Sequence, residues 1–432
     1  MLKALHRDNN YFLDKLIYFL PISMILGNAA ININCLIIIL VFFTDIIKKN
    51  NFEFIKKPKT NFIIFLITLF FIINVYFSVH VKISLISYLG VIKYMLLASA
   101  IMYCSKNIGF FIDKFSKLIL IVLILVSLDV LIQFFIGVDL FGNELKTNHG
   151  VRLSGPFGDE YIVGSYIGKF VLLSMFYFNR DNKFYSIFYL LFILSIVFLS
   201  NERSASIMCL AAITVYFILT PHFKFKTKLI NLSALFIVIA ILFNINTQLK
   251  DHFIKRSFEQ FGITFNKKGG YEHRSFWDSR WGAHYLTAIE INKNNPLLGS
   301  GLHTYRIECL DKKYEKINST RFSERCNTHP HNIYLEIWSE LGTLFFIFII
   351  IFHIYFSYRL IKIYFFDKIL QQEASILISL YFMLFFPFQT TGSLFSTWNG
   401  VIYWITIALC LNLFNKSTKN SLNKNNLNKP IF

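Results

Sequence analysis

Residues 327–357 read NTHPHNIYLEIWSELGTLFFIFIIIFHIYFS. The stretch opens polar, with histidines at 329 and 331. It then turns almost wholly apolar, for roughly the twenty residues that cross a hydrocarbon core of about 30 Å. A hydrophilic segment therefore runs straight into a membrane helix, and the chain on both sides divides in the same way. Of its 432 residues 55% are hydrophobic and 50 are Phe. Mean hydropathy is +0.52. A soluble domain this apolar would expose large adhesive patches.

Apolar blocks fall at 11–28, 31–47, 61–79, 83–104, 117–137, 160–178, 185–200, 204–220, 229–246, 333–357, 370–389 and 396–414. The expected fold is an all-α integral membrane protein of about twelve transmembrane helices, with one long periplasmic loop containing short helices. Residues 1–10 are polar and no small-residue cleavage site follows the first block, so that block reads as a retained helix rather than a signal peptide. No internal repeat is visible.

The net charge of +18 would suit a nucleic-acid binder, but no basic stripe interleaved with aromatics supports that class. The cations sit in every second connection: the N-terminus, 48–59, 106–117, 180–183, 224–228, 359–368 and the tail 416–429. The intervening short connections carry few. The positive-inside rule places both termini in the cytoplasm and the second set outside; the long loop is exempt from that rule. The expected regions are 1–246 (about nine helices), the periplasmic loop 247–332, 333–414 (about three helices), and 415–432 as a disordered basic cytoplasmic tail.

The loop carries the chemistry. Residues 273–294 read as an interfacial helix, with Trp277, Trp281 and Tyr285 on one stripe and Arg280, His284 and Thr287 on the next. A solvated amphipathic helix has the same pattern. Cys309 and Cys326 lie in this loop; facing an oxidising compartment they are expected to pair, the alternative being two free thiols. At 327–342 a helix starts at the outer face, and its N-terminus is a ready anion site. His329 and His331 sit there beside Asn332, placed either as cap and surface residues or as a base for a substrate hydroxyl. No metal site is expected, because ligand partners at the right spacing are lacking.

Residues 201–204, Asn-Glu-Arg-Ser, form a very short outer turn. Adjacent residues pair poorly on a helix, which leaves Arg203 able to fork onto a phosphate rather than onto Glu202. Arg152, in the outer stretch 152–160, is a candidate for lining a substrate cavity, and Arg274 and Trp281 are further substrate-binding candidates. There is no Walker A or dinucleotide fingerprint, so no cofactor is expected and energy must arrive with the substrate. A transporter would show ionisable groups in mid-span; here they cluster at outer ends.

At these residues the chain resembles the O-antigen ligase and O-antigen polymerase family. The resemblance rests on Arg280-Trp281, on NPLLGSG at 295–301, on HPHNIYLE at 329–336 with ELG at 340–342, and on the arginine at 203. It spans about 203–345. Ser300 departs from the aliphatic residue more usual in that turn. The resemblance implies a multispanning (GT-C-type) glycosyltransferase of the bacterial inner membrane with a periplasmic active site. It also implies undecaprenyl-diphosphate-linked glycan as donor, and lipid A–core (ligase) or another lipid-linked glycan (polymerase) as acceptor. Arg203 and Arg280 would hold the diphosphate, His331 would be the base and His329 would support it.

Overall fold

A computed structural model describes residues 10–50, 58–105, 108–145, 152–179, 183–260, 263–265, 271–273, 275–315, 317 and 322–427. The architecture is nearly all helical. In chain order the helices are α1 (Asn10–Tyr18), α2 (Leu20–Ile25), α3 (Asn28–Lys48), α4 (Pro58–Tyr76), α5 (Val81–Cys104), α6 (Ile108–Ile136), α7 (Val163–Ser174), α8 (Lys183–Leu199), α9 (Arg203–Leu219), α10 (Phe225–Ile245), α11 (Thr247–Gln260), α12 (Arg280–Asn294), α13 (Tyr305–Glu308), α14 (Ile333–Phe366), α15 (Gln371–Phe385) and α16 (Thr397–Leu427). Between α11 and α12 lies an antiparallel hairpin of β1 (Ile263–Phe265) and β2 (Tyr271–His273), with Thr264 opposite Glu272.

Each apolar block of the sequence is helical, but the blocks differ in length. Among the described residues six helices are long and apolar enough to cross a membrane, namely α3, α5, α6, α10, α14 and α16. Others are shorter: α7 has 12 residues, about 18 Å at 1.5 Å per residue. The first block is broken into α1 and α2, with Pro21 opening α2, where its missing N–H costs nothing. Large side chains such as Ile86, Leu89, Phe236, Ile237, Ile351 and Ile354 are exposed on the long helices. Water would make that surface prohibitive; lipid is its natural solvent. The protein is a multipass membrane protein.

Hydrogen bonds sort the connections into two groups. At one end Val79 donates to Ser300, Leu153 to Ser200 and Thr391 to His331, while Ser204 donates to the Thr390 carbonyl. At the other, Thr220 bonds Gln372, Tyr364 the Leu219 carbonyl, and Asn420 Asp367. In each of these cases the bonded segments fall in or beside connections of one charge-defined set.

Three expectations need correction. The loop helix begins at Arg280, not 273, because Ser279 caps it by accepting from the Gly282 N–H. Trp277 is therefore off the helix, in a 3-10 turn capped by Ser275. The supposed polar stripe is not solvated: His284 and Thr287 are wholly buried. The polar tail is helical through Leu427 rather than disordered from 415.

The segment 295–301 docks on a break in α14. Gly342 has φ +76° and ψ 177° inside that helix, which frees backbone groups that the docking segment satisfies. Ser300 donates to Ser339, Gly301 to Glu340, and Thr343 to Pro296. The contact is backbone on backbone: a Cβ on Gly342 would lie 2.2 Å from the Leu297 oxygen, and one on Gly299 2.3 Å from Glu340. We expect Gly342→Ala to destabilise the fold by about 3 kcal/mol, from left-handed strain plus the clash. Thermal unfolding of the purified protein checks this; an unchanged midpoint would contradict the packing. The loop also has its own core of Ala288, Ile291, Tyr305, Cys309 and Tyr314.

Candidate active site

The histidine segment turns into α14 through Asn332, the cap of that helix. Its side-chain oxygen accepts from Tyr334 and Leu335, and its amide donates to the Pro387 carbonyl at 2.7 Å. Its side-chain oxygen thus fastens the helix start while its amide ties that start to Pro387. One residue earlier, His331 adopts φ +58°, a conformation uncommon outside glycine. Its carbonyl is held by Thr391 N–H at 2.9 Å. The loop bearing Thr391 is in turn clamped by buried Glu336, which accepts from Ser393 and from the Leu394 N–H.

The two loop histidines have different duties. His329 uses both ring nitrogens, Nε2 with the Thr391 carbonyl at 3.0 Å and Nδ1 with the Thr328 hydroxyl at 2.9 Å. His331 has its Nε2 2.9 Å from Asn327 Nδ2. Asn327 Oδ1 accepts from the Thr328 N–H at 2.7 Å, which fixes the amide so that its NH2 faces the imidazole. Nε2 of His331 therefore presents a lone pair. Burial, with His329, His284 and Arg280 beside it, pushes His331 down to about 2; burial likewise lowers His329 to about 4. Both rings are neutral at physiological pH.

Trp281 links the histidine to the arginines. Its ring meets His331 edge-on at 4.8 Å between centroids. With its amide oxygen turned toward them, Gln260 accepts from Trp281 Nε1 at 2.7 Å and from Arg203 Nη2 at 2.9 Å. Arg203 opens α9, and Glu202 does not pair with it: the carboxylate accepts instead from Gly164 and Ser165 at the start of α7. Arg203 Nη1 is buried without a partner, as is Nε of Arg152. Arg152 donates to the Tyr161 carbonyl and lies over the Tyr161 ring.

Arg256 and Arg152 both act on Arg203, and burial, followed by Arg203, Arg256 and Arg152, lowers His252 to about 4. Arg280, at the first position of α12, is exposed and acts on His331. Of Arg152, Arg203, Arg256, Arg280 and Arg306, only Arg256 has a carboxylate in ion-pair range among the described residues, Glu259 at 3.9 Å. The guanidinium groups of Arg152, Arg203 and Arg256, which act together on His252, favour an anion there.

The structure thus brings Arg203, Trp281 and His331 together through Gln260, with Arg152 beside Arg203 and Arg280 beside His331. Cys309 and Cys326 form a disulfide, Cα to Cα 5.3 Å. Arg274 lies outside the described residues. Sequence reading passed over Gln260, Arg256 and His252 on α11, and Asn327. A signal was present: His252, Arg256 and Glu259 recur at helical spacing beside Leu249 and Phe253.

Residues 188–350 match the family model described as O-antigen ligase. Over that stretch, somewhat more than a third of the chain, the protein is similar to the O-antigen ligase family. The matched region runs from α8 to the middle of α14 and contains Arg203, Gln260, Arg280, Trp281, His329 and His331; Arg152 falls before it. No match was found among curated proteins.

Proposed function

We propose that the protein is an O-antigen ligase-type glycosyltransferase, moving a glycan from undecaprenyl diphosphate to lipid A–core on the periplasmic side of the inner membrane. The observation that carries this reading is a neutral His331 with an Nε2 lone pair, one tryptophan away from an arginine whose buried N–H lacks a partner. An acceptor hydroxyl taking the place of Asn327 at Nε2 gives its proton to that nitrogen as its oxygen attacks the anomeric carbon. The bond from that carbon to the diphosphate breaks in the same displacement, which inverts the carbon. Arg203, Arg280 and Arg152 receive the charge that develops on the departing diphosphate. Trp281 supports the seat, and His329 holds His331 in place. The scheme uses no metal and no covalent intermediate.

A lipid-linked donor is supported by an apolar cavity of about 640 Å³ between α14 and α15. It is lined by Tyr334, Ile350, Ile361, Tyr381, Phe386 and Pro387, and so begins beside the Asn332–Pro387 bond at the histidine end and runs down the membrane face. In this reading α1–α10 and α14–α16 form the expected crossings, with both termini in the cytoplasm. The HPHN form and the long loop ahead of α14 favour ligase over polymerase, which joins lipid-linked repeat units by the same chemistry.

Deletion of the gene, followed by analysis of surface lipopolysaccharide, tests the reading. Polymer left on the undecaprenyl carrier is expected. Single repeats capping lipid A–core would instead mean polymerase, and unaltered lipopolysaccharide would remove both.

A further inference from the structure

We propose that Arg306, oriented by His303, forms a second anion seat that takes a phosphate group of the acceptor. Arg306 is on α13, directly after the docked turn at 295–301. His303 is fixed from three sides: its backbone N–H donates to Glu340 Oε2 at 2.6 Å, its Nδ1 meets Ser87 Oγ at 3.2 Å, and its Nε2 bonds the Arg306 guanidinium. With Nε2 accepting from Arg306, Nδ1 carries the proton and donates to Ser87. His303 is then neutral and does not itself offset the charge of Arg306.

No carboxylate is in ion-pair range of Arg306 among the described residues. Arg306 acts electrostatically on Glu336 and Glu340, both buried, but each of their carboxylate oxygens is already bonded elsewhere. Those of Glu340 take the His303 and Tyr305 N–H groups, and those of Glu336 take Ser393 and Leu394. The Arg306 side chain is exposed at the same end as the histidines. It acts on His303 and His329, whereas Arg203 is acted on by Arg152 and Arg256. Arg306 thus acts on His329 and Arg280 on His331, and the two rings are 4.3 Å apart. A transferase needs a place for each substrate. The arginines around Arg203 suit the donor diphosphate; a planar guanidinium held by a neutral imidazole suits a second phosphate by forked hydrogen bonds.

The inference rests on the transferase reading for the identity of the acceptor, and binding without turnover separates the two. Full-length protein in lipid nanodiscs, carrying Arg203→Ala to weaken the first seat, is titrated with three probes. These are lipid A–core, the same material stripped of phosphate, and an undecaprenyl-diphosphate-linked repeat unit. At least tenfold weaker binding of the stripped lipid A–core is expected, with Arg306→Gln erasing the difference and Arg306→Lys restoring most of it. The same behaviour confined to the lipid-linked repeat unit would support the seat while identifying the carrier diphosphate as its source. Equal binding of all probes overturns the proposal. So does an Arg306→Gln variant that weakens all three probes alike and unfolds at lower temperature, since Arg306 would then be only a counter-charge for Glu336 and Glu340. Phosphate discrimination in a wild-type protein that transfers no glycan would leave this seat standing and sink the transferase reading instead.

Discussion

His331→Ala abolishes glycan transfer, by about 10²–10⁴-fold, in a protein that still inserts and retains its disulfide. The imidazole packs against Trp281 and His329 but holds no helix start, since Asn332 does that work. Loss of the ring should therefore cost chemistry more than fold. Transfer measured in reconstituted vesicles, alongside a thermal unfolding curve, separates the two; wild-type rates in the variant would remove His331 as the base.

The pH dependence follows from the depressed pKa. Only the neutral ring accepts a proton, and the free site holds His331 at about 2. Acid loss in kcat/KM attributable to this group therefore begins far below 6.5. A bound diphosphate counters the repulsion from Arg280 and adds negative charge, and both changes raise the basicity of the ring. The acid limb of kcat, which reports the complex, should lie at higher pH than that of kcat/KM, which reports the free protein. Coincident limbs near 6.5 would show that the ring is not held neutral by its surroundings. Donor binding and base strength are coupled in this arrangement, so the base becomes effective when there is a leaving group to expel.

Arg203→Ala is expected to lower the rate by about 10²–10³-fold, the usual effect of removing one donor to developing charge. Arg203→Lys should recover little. A lysine carries the charge but cannot keep one N–H on Gln260 and present another to the diphosphate in the fixed fork of a guanidinium. Single-turnover rates at saturating donor are the decisive measurement. Recovery of most of the rate by lysine would mean that net charge, not geometry, is what this position contributes. Gln260 should not bear on the lysine result if the bridge to Trp281 is unimportant, so Gln260→Ala in the lysine background is a useful control.

Much of the architecture was legible because lipid imposes it. Every backbone polar group within the membrane must be bonded inside the segment, so apolar runs of sufficient length have little choice but helix. The alternation of charge then ordered the connections, and the hydrogen bonds of the two ends fall into the same sets. Residues 295–301 and 329–336 stood out for a similar reason: glycines and histidines crowded at a helix boundary are unusual enough to read alone.

What stayed hidden were pairings between distant segments and the bounds of helices in polar sequence. The loop helix starts at 280 rather than 273 because Ser279, not aromatic spacing, decides where the first unpaired N–H groups are satisfied. The tail past 415 read as disordered from composition, yet it continues α16 to Leu427. A helix already nucleated by a buried stretch extends one residue at a time at little cost. Among the described residues six helices have crossing length; the first block is broken at Pro21 and the block after 160 gives a helix of only 12 residues, features that hydropathy does not register.

The long loop ahead of α14 shows where the two kinds of information divide. By itself the sequence determined that residues 327–357 pass from a polar, histidine-bearing segment into a membrane helix, because the cost of burying polar backbone is a local property. That His331 presents Nε2, that Glu202 turns away from Arg203, and that Gln260 joins Arg203 to Trp281 were decided only by tertiary structure. Each depends on groups brought close across dozens of residues, where packing and the direction of a hydrogen bond, rather than residue type, select the partner.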